Sequence, residues 1–310
     1  MKMSLEVFLT GLIAAGFRIA TPILLAALGE TFAERSGILN LGIEGMMIMS
    51  AFTSFSVTYD TGNPTLGLLA GLITGGVMAF IHAFMSITIK VDQIVSGLAL
   101  TILGLALSTF LFISYFKRTQ PAVEIWEPTA IPVLSQIPII GPALFQQHVI
   151  TYFAIILFIV STWFLFGTTW GLTIRTVGEN PAAADTVGIR VERVRYLCTI
   201  FGGLMAGIAG AYLTLVVFNS FFGGMTAGRG WIAIAVVIFG RWTPSWVFGG
   251  ALFFGLVDSF QLRLQASGIP ISPQFSLMIP YLFTLIALII VGRKRYAPAA
   301  LCIPYRRGER

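Results

Sequence analysis

The chain has 310 residues, of which 56% are hydrophobic and only 10% are charged, and its mean hydropathy is +0.89. Soluble domains carry about 25% charged residues, so this composition excludes a soluble domain, with or without a single membrane anchor. The net charge of +6 does not indicate nucleic-acid binding, because the basic residues collect at the ends of apolar stretches, as in membrane proteins.

Apolar stretches of membrane length occur along the whole chain. About 20 apolar residues cross a bilayer as a helix. We therefore expect an all-α transmembrane bundle of about 8–10 spans, forming a single domain over residues 1–310. The seventh stretch begins with several glycines, which predicts irregular backbone leading into a short helix. The predicted spans are 8–28, 38–58, 65–89, 93–116, 149–167, 197–218, 223–240, 245–262 and 275–292.

The placement of lysine and arginine predicts the orientation. With the C-terminus in the cytoplasm, 13 basic residues lie inside and five outside, Arg229 among the five. This positive-inside bias places the N-terminus and the loop 117–148 outside. The loop is either a passive connector or a docking platform for an external partner. We expect a multi-pass protein of the bacterial cytoplasmic (inner) membrane.

Two glycine-interrupted segments, one in each half of the chain, carry the candidate solute site. A carboxylate within a span, Glu44, is either functional or structural. The structural alternative is that Glu44 accepts backbone N–H groups at a broken helix or pairs with Arg18 or Arg35. Two such interrupted segments indicate a midplane binding site between internal repeats. The candidate pathway residues are Asn40, Glu44, Asn219, Phe222, Arg229 and Trp231.

Other residues within spans are expected to serve packing. Asp258 lies on a helix and is predicted to bond a neighbouring helix, and His82 is predicted to be a packed residue. Gly203, Gly207 and Gly210 have the small-residue spacing that lets two helices approach closely.

Residues 175–190, between two apolar stretches on the basic side, predict a short capped helix. Asn180 is a good N-cap, Pro181 suits the first helical position, and Gly188 suits the left-handed residue after the last turn. A helix of about two turns does not persist in water unaided. The small side chains of residues 182–184 therefore indicate contact with a partner, and we expect a cytoplasmic coupling segment over residues 170–196.

Motifs for catalysis are missing from the sequence. It contains no P-loop, H-E-x-x-H, C-x-x-C or G-x-S-x-G pattern, and its two cysteines, Cys198 and Cys302, have no metal or disulfide spacing. We predict no catalytic residues, no metal site and no cofactor on this chain.

Four stretches together resemble the permease subunits of ABC importers for simple sugars and nucleosides, a family related to the ribose and branched-chain amino acid permeases. The most specific is Gly178-Glu179-Asn180-Pro181 followed by Gly188. The resemblance covers nearly the whole chain, and the loop 117–148 matches only loosely. The four stretches are residues 21–30, 35–47, 175–184 and 230–240.

The resemblance implies a translocation subunit, not an enzyme. A separate ATPase subunit would hold ATP-Mg, and an external solute-binding (lipo)protein would deliver the solute. A second, homologous permease and the membrane lipid would complete the assembly. Carried onto this sequence, the residues that would couple to the ATPase are Arg175, Gly178, Glu179, Asn180, Pro181, Ala183, Ala184 and Gly188.

The substrate class stays open at this point. A nucleoside or a simple sugar is the first hypothesis, and a branched-chain amino acid is the alternative within the same class. An ion-coupled secondary carrier, suggested by Glu44 and Asp258, is the alternative from another class.

Overall fold

The structure is a computed structural model that describes residues 5–117, 119, 121–132, 135, 137, 140–266, 278, 282 and 296–307. Within these residues the fold is almost entirely helical. Two short π-helical stretches extend α3 and α9, and one two-stranded antiparallel sheet lies in the loop between α4 and α6. The helices are α1 Leu5–Arg35, α2 Ile43–Thr61, α3 Pro64–Ala83, α4 Gln93–Phe116, α5 Ile140–Leu144, α6 Val149–Gly167, α7 Thr169–Glu179, α8 Pro181–Thr186, α9 Val191–Tyr212, α10 Arg229–Phe239 and α11 Pro244–Ala266. The π-helical stretches are π1 Phe84–Ile89 and π2 Leu213–Phe218, and the strands are β1 Thr129–Ala130 and β2 Gln146–Gln147.

The prediction of a polytopic helical bundle is confirmed. Six helices of the described chain are long and apolar enough to cross a membrane, namely α1, α3 with π1, α4, α6, α9 with π2, and α11. The predicted spans 93–116 and 149–167 coincide with α4 and α6. The predicted ninth span, 275–292, lies outside the described residues except for Met278 and Leu282. The total number of spans stays a prediction.

The seventh predicted span is a short helix, as its glycines indicated. α10 has 11 residues, about 16 Å of helix, which is roughly half of a ~30 Å hydrocarbon core. Its first residue, Arg229, has a side chain that is 15% exposed, so it packs largely within the described bundle. The side of the membrane on which Arg229 lies stays a prediction.

Local side chains set where several helices begin. The Asn63 side chain accepts a hydrogen bond from Thr65 N before Pro64 opens α3. Asp92 caps α4 in the same way through the amides of Ile94 and Val95. These contacts satisfy backbone donors that a helix start leaves without partners.

Glycine contacts bring α3 and α9 close together. A Cβ added to Gly203 would lie 2.5 Å from the Gly75 carbonyl oxygen, and one added to Gly207 would lie 2.5 Å from the Gly71 oxygen. A Cβ at Gly210 would collide with the Met47 carbonyl of α2. The predicted packing role of these glycines is confirmed, since any side chain would force the helices apart.

The helix contacts have the pattern that two internal repeats would give. The most extensive packing is between α3 and α9 and between α1 and α11, and α1 also packs along α9. If α1 is exchanged with α9 and α3 with α11, the α3–α9 contact becomes the α11–α1 contact, as expected for two repeats. Under this exchange α2 corresponds to α10, and the starts of these two helices meet at Glu44 and Gly230.

Residues predicted to lie on the cytoplasmic side collect at one end of the bundle. Arg35 at the end of α1 donates hydrogen bonds to the carbonyl oxygens of Trp242 and Arg241. Arg195 of α9 donates to the carbonyls of Ser36 and Ile303. The turn 240–243, the loop 36–42 and the C-terminal segment 296–307 therefore surround the same end of α1.

Candidate functional site

Glu44 holds the start of α10. Its carboxylate accepts hydrogen bonds from Thr226 Oγ1 at 2.6 Å, Gly228 N at 2.9 Å and Gly230 N at 2.7 Å. The side chain is 5% exposed, and within the described chain it bonds to neither Arg18 nor Arg35. The geometry is that of the structural alternative, a carboxylate that caps a broken helix.

The approach of the two helix starts requires glycine. A Cβ on Gly230 would lie 2.6 Å from Glu44 N and 2.7 Å from Glu44 Cα. Gly228 adopts a φ of +78°, in the left-handed region that glycine tolerates best. The glycines of this segment therefore allow α10 to begin directly against α2.

Asn40 organises the loop that leads into α2. Its backbone N donates to Glu30 Oε1 at 2.8 Å, and its side-chain Oδ1 accepts from Gly42 N at 2.9 Å. The side-chain amide reaches Met46 Sδ at 3.4 Å. Since Asn40 is fully buried, its contacts fix the backbone of this loop.

The remaining pathway candidates fall into two groups. Arg229 binds backbone carbonyls of its own loop, and its guanidinium lies 4.0 Å from Asp258 Oδ2 of α11, an ion-pair distance that is too long for a hydrogen bond. The predicted hydrogen bond from Asp258 to a neighbouring helix stays a prediction. Asn219 ends π2 with a φ of +46°. Phe222 and Trp231 are each 39% exposed and are thus the members of the set that present side-chain surface.

A segment of the loop between α4 and α6 lies against the end of π2. Val123 N donates to Asn219 O at 2.8 Å, and Trp126 N donates to Leu215 O at 3.0 Å. The Trp126 ring packs edge-on against His148, with centroids 4.8 Å apart. The loop is therefore attached to the helix that leads into the candidate pathway, while Glu124 and Glu127 stay exposed.

The predicted capped helix of the coupling segment is present as α8. Asn180 Oδ1 accepts from Ala183 N at 3.0 Å, Pro181 is the first helical residue, and Gly188 has a φ of +84°. Ala183 is exposed together with residue 182, whereas Ala184 is fully buried against the bundle. α8 thus presents a small exposed face and is anchored through the opposite one.

Gly178 joins the coupling segment to α1. A Cβ at this position would collide with the Arg35 carbonyl oxygen and would lie 2.9 Å from its carbon. On the other side, Gly178 O accepts from Ala300 N at 2.9 Å, and Glu179 Oε2 accepts from Ala299 N at 3.2 Å. The end of α7 is therefore held between α1 and the C-terminal segment.

The ring of Phe166 links two arginines near this contact. The guanidinium carbons of Arg175 and Arg35 lie 5.1 Å and 5.8 Å from its centroid. Cation–π contacts of this kind hold the side chains in place without a carboxylate partner. Arg175 therefore packs on the end of α6 in the isolated chain.

The sequence analysis missed a buried carboxyl pair, Glu30 and Glu34, one turn apart on α1. The two carboxyls are close enough to interact electrostatically, and both side chains are at most 1% exposed. Glu34 Oε2 also accepts from Trp242 Nε1, and Glu30 accepts from Asn40 N. The pair thus ties the loop before α2 to the turn after α10. The rule applied to Glu44 did not reach this pair, because the predicted first span ended at residue 28, whereas α1 continues to Arg35.

Comparisons with known proteins match the sequence of this chain to those of transport proteins. The family described as "Branched-chain amino acid transport system / permease component" matches residues 12–288. The chain is 37% identical to a guanosine ABC transporter permease of Bacillus subtilis, covering 99% of this chain and 100% of the relative. It is 35% identical to a nucleoside ABC transporter permease of Lactococcus lactis, covering 92% and 93%. It is 42% identical to a protein of Haloferax volcanii assigned provisionally as a glucose ABC transporter permease, covering 86% and 81%.

Each of these organisms also has a second, less similar permease for the same kind of solute, at 22–25% identity. No solved structure matches the chain.

Proposed function

This chain belongs to the family of branched-chain amino acid transport system permease components, and from that membership we propose that it is the membrane-spanning subunit of an ATP-driven importer for a nucleoside or a simple sugar. It is a multi-pass membrane protein and a translocation component. Its ATPase would be a separate subunit that holds ATP-Mg.

The position of α8 is the observation that supports the coupling role. A six-residue helix is too short to be stable alone, yet it is capped at both ends and anchored through Ala184. Its exposed face at Ala183 is small enough for a partner's groove to close around it. Because Gly178 touches the Arg35 carbonyl, a force on α8 reaches α1 through direct backbone contact.

The proposed coupling residues have different roles. Ala183 would contact the ATPase, while Asn180, Pro181 and Gly188 would set the shape of α8. Gly178 and Ala184 would pass its movement to the bundle, and the exposed Glu179 and the nearby Arg175 would meet the ATPase at the edge of the contact. The coupling residues are thus Arg175, Gly178, Glu179, Asn180, Pro181, Ala183, Ala184 and Gly188.

The solute pathway would pass the junction of the α2 and α10 starts. Asn40, Glu44, Asn219 and Arg229 would shape its wall through the backbone contacts described above. Phe222 and Trp231 would contact the solute, since aromatic rings stack on a nucleobase or on the apolar face of a sugar.

Two further partners follow from the relatives. The paired permeases in the three organisms support a heterodimer of this chain with a second, homologous permease. An external solute-binding (lipo)protein would dock on the loop 117–148, whose segment 121–128 connects to π2.

Among solutes, a nucleoside is favoured, because two relatives that are at least 35% identical and match over more than nine-tenths of both chains are named for guanosine and nucleosides. A sugar stays the second candidate solute, because the relative from Haloferax volcanii is provisionally assigned to glucose. A branched-chain amino acid stays the third, because the family is described by it. Asp258 lies by Arg229, so the ion-coupled carrier loses one of the two residues that suggested it.

The test is uptake by the full chain, reconstituted with its ATPase, second permease and binding protein. Labelled guanosine uptake should require ATP, should persist with an ionophore, and should be competed by nucleosides but not by leucine. Competition by pentoses or glucose alone would move the substrate to sugars. Uptake by this chain alone that collapses with the ionophore would contradict the importer.

A substitution in α8 tests the coupling role separately. Ala183→Glu places a charge in the contact with the ATPase and should abolish co-purification of the ATPase while membrane insertion is kept. Ala122→Glu, at an exposed alanine of the outer loop, is the matched control and should co-purify normally. If Ala183→Glu also co-purifies normally and transports, the assignment of α8 is wrong.

A further inference from the structure

An apolar cavity of about 290 Å³ lies between α1, α6, α7 and α9. Three residues at its mouth are strongly exposed, with Trp170 and Leu197 at 60% and Val160 at 47%. Since α6 and α9 are spans, this mouth opens sideways from the bundle. Six of the residues that line the cavity are Phe32, Leu157, Val160, Trp170, Leu197 and Phe201.

A second, basic cavity of about 420 Å³ continues from the first and shares Trp170, Val194 and Leu197 with it. It is bordered by Arg190 and Arg193, and both side chains are exposed. Neither guanidinium forms a hydrogen bond or ion pair with another residue of the described chain. The cavity also lies at the start of α9, whose N-cap residue makes no side-chain cap hydrogen bond, and a helix start favours an anion.

Nearby carboxylates do not cancel this positive charge. Arg190 and Arg193 also border a neighbouring cavity that contains Asp185 and Glu192. Asp185 is already paired with Arg307 at 3.1 Å. Two arginines thus face one remaining carboxylate, that of Glu192, and none of the residues lining the basic cavity is acidic.

We propose that the two joined cavities bind one anionic phospholipid of the cytoplasmic leaflet, with its phosphate at Arg190 and Arg193 and part of an acyl chain in the apolar cavity. A basic pocket between spans on the cytoplasmic side is a recognised form of lipid headgroup site. The apolar cavity lies at the lower limit of the ~300–1,000 Å³ typical of small-molecule sites, so it holds part of one chain, not a whole lipid. A soluble phosphate compound would leave this cavity unused.

The site lies beside α8, within the predicted coupling segment 170–196. Trp170 belongs to α7 and Arg190 precedes α9, the two helices that flank α8. A lipid held across both would brace the base of α8 against the bundle. Anionic lipid is therefore expected to strengthen coupling, whatever solute is carried.

The experiment measures lipid retention by the purified full-length permease, using native mass spectrometry in the presence of phosphatidylglycerol or phosphatidylcholine. Wild-type protein should retain phosphatidylglycerol in preference to phosphatidylcholine. Arg190→Gln combined with Arg193→Gln should weaken phosphatidylglycerol binding roughly thirtyfold. Each arginine near an anionic headgroup contributes about 1 kcal/mol of attraction, and the loss of both corresponds to that factor. Lys117→Gln removes an exposed cation at the end of α4, which lines neither cavity, and should change binding less than threefold.

A second variant tests the acyl chain. Val160→Trp would narrow the mouth of the apolar cavity without removing charge, and it should also reduce retention of phosphatidylglycerol. Inorganic phosphate at millimolar concentration should not compete, because it gains nothing from the apolar cavity. Equal retention of both lipids, or unchanged binding in the double arginine variant, would overturn the proposal. So would a cross-link from residue 160 to the second permease, because that chain would then cover the cavity.

Discussion

Replacing Glu44 tests how α10 is held at the centre of the bundle. The side chain accepts three hydrogen bonds, from one hydroxyl and two backbone amides. A hydrogen bond to a charged group contributes about 1.5–3 kcal/mol. Glu44→Gln keeps one acceptor oxygen but sets an N–H group against an amide donor, so the free energy of unfolding should fall by about 3 kcal/mol. Glu44→Ala removes all three bonds and should lower it by roughly 5 kcal/mol or more.

The assay is denaturant unfolding of the purified chain in detergent micelles, followed by circular dichroism. Glu192→Gln is the matched control, because Glu192 is an exposed glutamate in the first turn of α9. A surface substitution of this kind should change the free energy of unfolding by no more than about 0.5 kcal/mol. Uptake is measured on the same preparations after reconstitution.

The informative comparison is stability against transport. If Glu44→Gln is as stable as wild type but has lost uptake, the carboxylate acts on the solute and the reasoning from its contacts is refuted. If both fall together, Glu44 holds the start of α10, and the pathway depends on it only through the backbone.

Three other variants or measurements address the cytoplasmic end. Gly178→Val should reduce uptake at least tenfold while ATP hydrolysis continues, because its side chain collides with the Arg35 carbonyl and separates α7 from α1. Asn180→Ala should destabilise α8 by about 1 kcal/mol, seen as roughly fivefold faster amide hydrogen exchange over residues 181–186. Burial raises the pKa of the Cys302 thiol to about 11, so the thiolate is scarce at neutral pH. Its labelling by maleimide should rise about tenfold per pH unit from pH 7 to 9 and at pH 7 be roughly 300-fold slower than that of a free thiol of pKa ~8.5.

Each of these has a control or a contradicting result. Gly249→Ala is the control for Gly178→Val, because a Cβ there meets no atom within 4 Å, and it should transport normally. Asn180→Asp keeps the cap acceptor and should restore slow exchange; equally fast exchange would show that the cap is unimportant. Labelling of Cys302 at pH 7 at the rate of a free thiol would show that its thiol is not buried.

The features that could be predicted from the sequence depend on residues close together in the chain. Asn180, Pro181 and Gly188 specify α8 within nine positions, and glycines before Trp231 marked α10 as a short helix. Span length needs only local hydropathy, which is why α4 and α6 were placed correctly.

The features that could not be predicted depend on long-range contacts. The partners of Glu44 lie 182–186 residues away along the chain, so the sequence left its structural and functional roles equally open. Glu34 and Trp242 are 208 positions apart, and only the fold brings them together.

Site-specific photocross-linking from position 183 tests the central claim most directly, that α8 meets the ATPase and moves α1. A benzophenone side chain would replace Ala183 in the assembled complex, with the same group at Ala122 as the control. The account predicts a cross-link from position 183 to the ATPase subunit, altered on ATP binding, and none from position 122. A complex that transports its solute yet gives no such product at position 183, or gives it at position 122, would contradict the account.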